Sequence, residues 1–297
     1  GFDQEFLSLL GLIASFLTIL GIFVLRPLME KSSMTRLIVI LSIAGSFFIL
    51  PSIAMFYDLD KPNEFVKKIK QNLNYDGVWV FELSYLVNML KLNSFDTICH
   101  EHLEYYSLTS LNFLLKKHKL KIFKCMRNNI NGGSIRCFVT HDKNLIFDTK
   151  RNFKEISDLL NLEKRIKINT QIPYKKFVER IKILKEQTKK LLFKLSNQNK
   201  NIHIYGASTK GNTILQWYGI DNNLIKFAAD RNKDKWEAKT ISSNIQIISE
   251  EKSKKLRPDY YFVLPWHFKK EFLEREKKFL NSGGKMIFPL PKLKIYK

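Results

Sequence analysis

Reactive side chains are concentrated in one short segment of this 297-residue chain, Cys99-His100-Glu101-His102. A histidine changes charge near neutral pH and can act as a general base, and a neighbouring carboxylate can orient its ring. Zinc sites use His-Glu-x-x-His on a helix, or cysteines and histidines at matched spacings, and neither arrangement occurs here. The segment therefore favours proton transfer over metal binding, and no metal site is predicted. On spacing alone, a hydrogen-bonded loop histidine without catalytic function is the alternative.

A second segment has the chemistry of an anion site. Gly206-Ala-Ser-Thr-Lys-Gly-Asn212 follows a predicted strand and opens a predicted helix. Its backbone N–H groups and the helix dipole can hold a phosphate, with Ser208 and Lys210 as further donors. It matches neither the Walker A pattern nor Gly-x-Gly-x-x-Gly, so a phosphate-binding turn and a structural turn are both open. Asp230, 24 residues after Gly206, either accepts a ribose hydroxyl or caps a turn.

The elements that position these segments are typical of an α/β protein. A short helix and a buried strand near residues 62–83 predict one αβ unit of a doubly wound sheet, and residues 95–141 predict a compact insert. The predicted organisation is a partial Rossmann sheet with this insert over 58–148, a helical connector over 149–200, and a Rossmann-like α/β domain over 201–297.

The first 57 residues have a different composition. Two runs without charge, 6–25 and 37–57, are each long enough to cross about 30 Å of hydrocarbon as a helix. Because they are apolar on all sides, they predict a two-helix transmembrane hairpin over 1–57 that anchors the chain in a membrane. The basic residues flanking the two runs favour opposite orientations, and the body after the hairpin is expected in the cytoplasm.

Charge follows the same division. The formal net charge is +22; residues 1–60 hold three basic and five acidic side chains, so the remaining 237 residues carry +24. The excess is mostly lysine, and no basic-aromatic recognition motif accompanies it, so a nucleic-acid partner is not predicted. Three cysteines without a Cys-x-x-Cys pair exclude a disulfide-stapled secreted module.

Several long motifs, in consistent order over about residues 56–297, resemble the sugar C-methyltransferases. These S-adenosylmethionine-dependent enzymes methylate a ring carbon of a nucleotide-linked keto-deoxysugar. The motifs are Phe95-Asp-Thr-Ile-Cys-His-Glu-His-Leu-Glu-Tyr-Tyr-Ser, Asn131-Gly-Gly-Ser-Ile-Arg, Tyr205-Gly-Ala-Ser-Thr-Lys-Gly-Asn-Thr, Ala229-Asp-Arg-Asn and Leu264-Pro-Trp.

The resemblance implies roles for individual residues. His102 corresponds to the general base, with Glu101 as its neighbour at the sugar. Glu82 and Ser84, at the end of the first strand, would lie beside the S-adenosylmethionine cofactor. Family members often have tyrosine in place of Cys99 and histidine in place of Asn131. The residues implied to contact the nucleotide-linked sugar are Cys99, Tyr105, Asn131, Gly132, Gly133, Ser134, Gly206, Ser208, Lys210, Asn212 and Asp230.

Two features of the family have no counterpart in the sequence: the cysteine-rich zinc module and the glycine-rich half of the cofactor domain. The sequence therefore predicts a truncated or fused C-methyltransferase with an incomplete cofactor site, inactive alone, whose C-terminal domain packs against the substrate. A membrane-tethered, non-catalytic nucleotide-sugar binding module is an alternative. Residues 1–57 also resemble two late helices of folate and biopterin transporters of the major facilitator type, so a transporter fragment is a further alternative.

Overall fold

The computed structural model describes residues 59–297, which contain both helices and strands. The mixed α/β prediction is therefore confirmed for this part of the chain. The predicted hairpin over 1–57 lies outside the described residues. Within 59–297, none of the helices combines the length and the apolar character that crossing a membrane requires.

The first half contains a three-stranded sheet of order β1-β3-β2, in which β3 is antiparallel to both neighbours and β1 is an edge strand. Trp79, Phe81 and Leu83 of β1 are buried and alternate with half-buried residues, so one face of the strand meets the core. The elements in chain order are α1 (Pro62–Asn72), β1 (Trp79–Ser84), α2 (Leu86–Leu92), α3 (Leu108–Lys117), β2 (Leu120–Asn128) and β3 (Ser134–His141).

This pairing corrects the predicted doubly wound sheet. The strands of the predicted insert belong to the same sheet as β1, and the pairing is antiparallel. Only residues 129–133 connect β2 to β3, whereas parallel neighbours need a crossover of about a dozen residues or more. The turn is short because Gly132 and Gly133 adopt φ values of +87° and +119°, which glycine tolerates without steric cost.

Two helices occupy the predicted connector, α4 (Lys150–Arg165) and α5 (Ile172–Asn197). The apolar side chains Phe177, Ile181, Leu184 and Leu195 of α5 are buried along one face, and Leu191 is half-buried. Glu163 of α4 is fully buried, and its carboxylate accepts hydrogen bonds from Tyr85 Oη (2.7 Å), Leu108 N (2.6 Å) and Thr109 N (2.9 Å). This buried acid joins α4 to the start of α3 and the end of β1.

The C-terminal sheet has the order β6-β5-β4-β7-β8-β9. The first five strands are parallel, and β9 is antiparallel to β8. Counted from β4, the order is 3-2-1-4-5-6, which is that of a Rossmann fold. Its elements are β4 (Ile202–Tyr205), α6 (Thr209–Tyr218), β5 (Phe227–Asp230), β6 (Gln246–Ser249), α7 (Glu250–Lys255), β7 (Tyr260–Val263), α8 (Lys269–Arg275), α9 (Lys277–Asn281), β8 (Lys285–Phe288) and β9 (Lys294–Tyr296).

The strand order creates a crevice between β4 and β7. The chain leaves β4 toward β5 on one side and leaves β7 toward β8 on the other, so the two loops diverge at the carboxyl ends of these strands. Open α/β sheets bind ligands at such a switch point.

Candidate active site

A cavity of about 550 Å³ lies at this switch point. It is formed by the loop after β4 with the first turn of α6, by the loop after β7 with α8, and by the segment that precedes α3. Its lining residues include Glu101, His102, Ser208, Lys210, His267 and Phe268.

Close packing of two loops explains the glycines after β4. Gly206 has φ +85°, and a Cβ there would lie 2.6 Å from Pro265 Cγ. A Cβ at Gly211 would lie 2.8 Å from Leu264 Cδ1. Both distances are too short for a side chain, so these glycines serve the packing of the β4 and β7 loops against each other. This contact directly supports the structural interpretation of the Gly206–Asn212 segment.

The start of α6 places a cation in the cavity. Helix α6 begins at Thr209, inside the Gly206–Asn212 segment, and the Ser208 side chain caps it by accepting from Gly211 N at 3.0 Å. Lys210 therefore lies in the first turn of the helix, beside the positive end of its dipole. Ser208 and Lys210 line the cavity together, as an anion site requires.

Lys210 influences several groups around it. Burial is the largest influence on the pKa of Asp96, Cys99, His102 and His267, and in all four the positive charge of Lys210 acts to lower the pKa. The same charge would stabilise an oxyanion formed in the cavity.

His102 is half-buried, and burial followed by the charge of Lys210 lowers its pKa below the usual 6.5. The charge of Glu101 and a hydrogen bond with the Thr97 backbone oppose this lowering. The ring is therefore uncharged at neutral pH, which is the state that accepts a proton. Burial and Lys210 lower the pKa of His267 further, to about 4, so the cavity presents two uncharged imidazoles.

A buried contact fixes the segment that carries His102. Trp266 Nε1 donates to Asp96 Oδ2 at 2.9 Å, and the two residues are 7% and 2% exposed. The indole also lies against Gly132, where a Cβ would be 3.2 Å from Trp266 Cη2. Phe95 packs on Tyr218 of α6 with ring centroids 5.5 Å apart. The β7 loop, the β2–β3 turn and the segment before His102 thus meet at one tryptophan.

Asp96→Asn should make stability less dependent on pH. Burial raises the Asp96 pKa from 3.8 to about 6 despite the opposing effects of Trp266 and Lys210, and Asp96 Oδ1 has no hydrogen-bond partner among the described residues. The folded protein therefore holds this proton more tightly than the unfolded chain, and the resulting stability is lost as pH rises from about 4 through 6. Urea unfolding at about pH 4.5 and at about pH 7.5 measures how much the free energy of unfolding falls between these two pH values. The fall should be roughly 2 kcal/mol smaller in the variant than in the wild type. An equal fall in the free energy of unfolding in both proteins would contradict the raised pKa of Asp96.

Other residues predicted to contact the sugar lie outside the cavity lining. Burial raises the pKa of the half-buried Cys99 thiol. Tyr105 Oη donates to Thr97 O at 3.3 Å. Asn131 belongs to the β2–β3 turn, in which a Cβ at Gly133 would lie 2.5 Å from Asn88 Nδ2. The glycines of this turn serve backbone packing.

The remaining predicted residues make structural contacts. Ser134 Oγ donates to Ile130 O at 3.0 Å, and Asn212 N donates to Ser208 O at 3.1 Å. The Asp230 carboxylate accepts from Ala207 N and from Asn232 N, both at 2.8 Å, so it caps a turn. Glu82 pairs with Arg136 at 2.7 Å, and Ser84 aligns with Ser134 across the β1–β3 ladder. The cavity thus brings together Glu101, His102, Ser208 and Lys210 from the predicted set.

The sequence interpretation missed three contributors: Asp96, Trp266 and His267. Each lies in or beside a motif that carried the family resemblance, but none was assigned a role. A signal was present, because Leu264-Pro-Trp-His267 directly follows a buried strand, where α/β folds place ligand contacts. Within residues 59–297, no group of three or more histidine, cysteine or acidic side chains is arranged to hold a metal ion.

Comparison with known proteins gives two matches. Residues 129–291 match the family described as C-methyltransferase C-terminal domain. The chain is also 31% identical over 238 residues to a protein of Streptomyces niveus named C-methyltransferase NovU. That alignment covers 78% of this chain and 54% of the relative, so the chain spans about half the length of the curated relative it matches.

Proposed function

The chain belongs to the C-methyltransferases through their C-terminal domain, and we propose that its switch-point cavity binds a nucleotide-linked keto-deoxysugar and deprotonates it. The proton removed is on the ring carbon next to the ketone. One observation carries the proposal: His102, an uncharged base at neutral pH, and Lys210, a cation at a helix N-terminus, line the same cavity.

The residues have complementary tasks in this reaction. The C–H bond breaks, its proton moves to the His102 imidazole, and its electron pair forms an enolate whose charge resides on the former carbonyl oxygen. Lys210 stabilises that oxygen, and the charge of Glu101 stabilises the imidazolium that forms. The enolate carbon is then the nucleophile for methylation.

The described residues do not fit S-adenosylmethionine as a self-contained site. In the C-terminal sheet, Asp230 already accepts two backbone N–H groups, and Leu264 and Pro265 close the space at the two glycines. In the first sheet, the Glu82 carboxylate is held by Arg136 and Asn128. These contacts favour a substrate-side role for residues 201–297.

Proton exchange tests the proposal without a methyl donor. The full chain is incubated in D₂O with a nucleoside-diphosphate 4-keto-6-deoxyhexose, and NMR follows the proton on the carbon beside the ketone. The proposal predicts loss of this signal faster than in buffer alone. Saturable binding with no exchange would instead support the non-catalytic binding module.

Lys210→Met should slow this exchange by about 10², because the enolate oxygen loses its cation. It should also move the midpoint of the pH–rate profile to higher pH, since the charge of Lys210 lowers the His102 pKa. The exchange rate measured against pH checks both effects. Lys226→Met, which removes an exposed lysine outside the cavity, is the matched control and should change neither quantity. An unshifted midpoint in Lys210→Met would contradict the electrostatic coupling.

A further inference from the structure

A second cavity, of about 530 Å³, lies between α2, the α4–α5 turn and the start of α5. Half of its twelve lining residues are basic, the other half are apolar, and none is acidic. It shares no lining residue with the cavity that contains His102. The basic residues are Lys91, Arg127, Arg165, Lys167, Lys176 and Arg180.

The lysine-rich composition alone does not explain this cluster. Arginine is scarce, with eight residues after position 58, and three of the eight line this cavity. Elsewhere, Arg136, Arg151 and Arg275 each pair with a glutamate. Within residues 59–297, none of the six cations of the cavity forms an ion pair with a carboxylate. No carboxylate of the described residues therefore neutralises these six charges at ion-pair distance.

Arg180 is held in place by the protein. Its Nε donates to Asn93 Oδ1 at 2.9 Å, and Nη2 donates to Leu90 O at 2.5 Å. A guanidinium has five N–H donors, so three are left after these two bonds. The side chain is half-buried, which strengthens its attraction for an anion relative to a fully solvated cation.

The surrounding elements favour the same ligand chemistry. The cavity includes Ile172 and Pro173, at the N-terminus of the 26-residue helix α5, so the positive end of that dipole adds to the cationic field. Leu90, Leu162 and Ile166 supply an apolar wall. The volume suits a small molecule.

We propose that this cavity is a second binding site, specific for a small molecule that carries a phosphate or diphosphate group on an apolar or planar body. Arginine forks recognise phosphate oxygens in pairs, and the apolar wall accepts the rest of the ligand. The site is separate from the proposed deprotonation site and does not depend on that assignment.

Isothermal titration of the full chain with inorganic pyrophosphate tests the proposal. The wild type should bind saturably, and the double variant Arg165→Gln/Lys176→Gln should bind at least about tenfold more weakly, because two exposed cavity cations are lost. The matched control Lys164→Gln/Lys190→Gln removes two exposed charges from the same helices outside the cavity, and its affinity should stay within about twofold of wild type.

Because the first cavity is itself an anion site, both double variants are also titrated in the Lys210→Met background, where saturable pyrophosphate binding should remain and should show the same tenfold difference. Equal weakening by both double variants, loss of binding in Lys210→Met, or no saturable heat in the wild type would each overturn the proposal. Circular dichroism of every variant establishes that the fold is retained.

Discussion

Replacing His102 by alanine should lower the rate of proton exchange on the keto-sugar by about 10²–10⁴, the usual contribution of a positioned general base. The variant lacks the group that accepts the proton, while Lys210 and the cavity walls are retained. NMR of the sugar in D₂O measures the rate, and the affinity for the sugar should change far less than the rate.

His100→Ala is the matched control for this prediction. His100 lies two residues earlier, is exposed and does not line the cavity, so its removal should leave the rate within about twofold of wild type. If the His100 and His102 variants retain the same rate, the proton acceptor is a different group.

Trp266→Ala should lower the free energy of unfolding by about 3–5 kcal/mol, the range for removing a large buried aromatic side chain. The indole is 7% exposed, packs against Gly132 and donates to the buried Asp96. Its loss would leave a cavity and a carboxylate without its donor. Urea unfolding of the full chain measures the change, and proton exchange should slow as well, because the segment before His102 loses its anchor.

Two further variants define what the indole contributes. Trp217→Ala removes a tryptophan of α6 that is 37% exposed and contacts Lys185 and Phe95, so it should cost less, about 1–2 kcal/mol. Trp266→Phe keeps most of the aromatic surface but not the N–H group and should cost roughly 1–3 kcal/mol, mainly from the unpaired Asp96 oxygen. If Trp266→Ala lowers the free energy of unfolding no more than Trp217→Ala does, then Trp266 does not hold together the β7 loop, the β2–β3 turn and the segment before His102.

The C-terminal sheet was largely predictable from the sequence. Strands β4, β5, β7 and β8 are short apolar runs bounded by turn residues, and right-handed crossovers then restrict their order. The sequence interpretation missed β6 and β9. β9 has three residues, none of them buried, so no apolar run marks it. β6 has the same length and burial pattern as the predicted strand β5, so strand length does not explain why it was missed.

The first sheet was predicted less well. Asn131-Gly-Gly between two β-rich runs is a hairpin signal, but the sequence analysis assigned these runs to a separate insert and did not pair them. Once Gly132 and Gly133 adopt positive φ, the chain returns directly and β3 must pair antiparallel to β2.

The sequence predicted the segments of His102 and Lys210 as two separate candidate sites, but not that they line one cavity. Residue types identified His102 and Lys210 separately, and the family resemblance assigned the first as a base. Their meeting depends on contacts between segments far apart in the chain, such as Trp266 with Asp96, which no local pattern encodes. The position of Lys210 also depends on where α6 begins, and helix starts are among the least predictable boundaries.

A crystal structure of the full chain soaked with the nucleoside-diphosphate 4-keto-6-deoxyhexose would show whether the sugar binds between His102 and Lys210. We predict the sugar in the switch-point cavity, with the carbon beside the ketone about 3–3.5 Å from a ring nitrogen of His102. The ketone oxygen should lie about 3 Å from Lys210 Nζ. A sugar bound at another surface, with this cavity empty and neither side chain in contact with it, would contradict the proposed function.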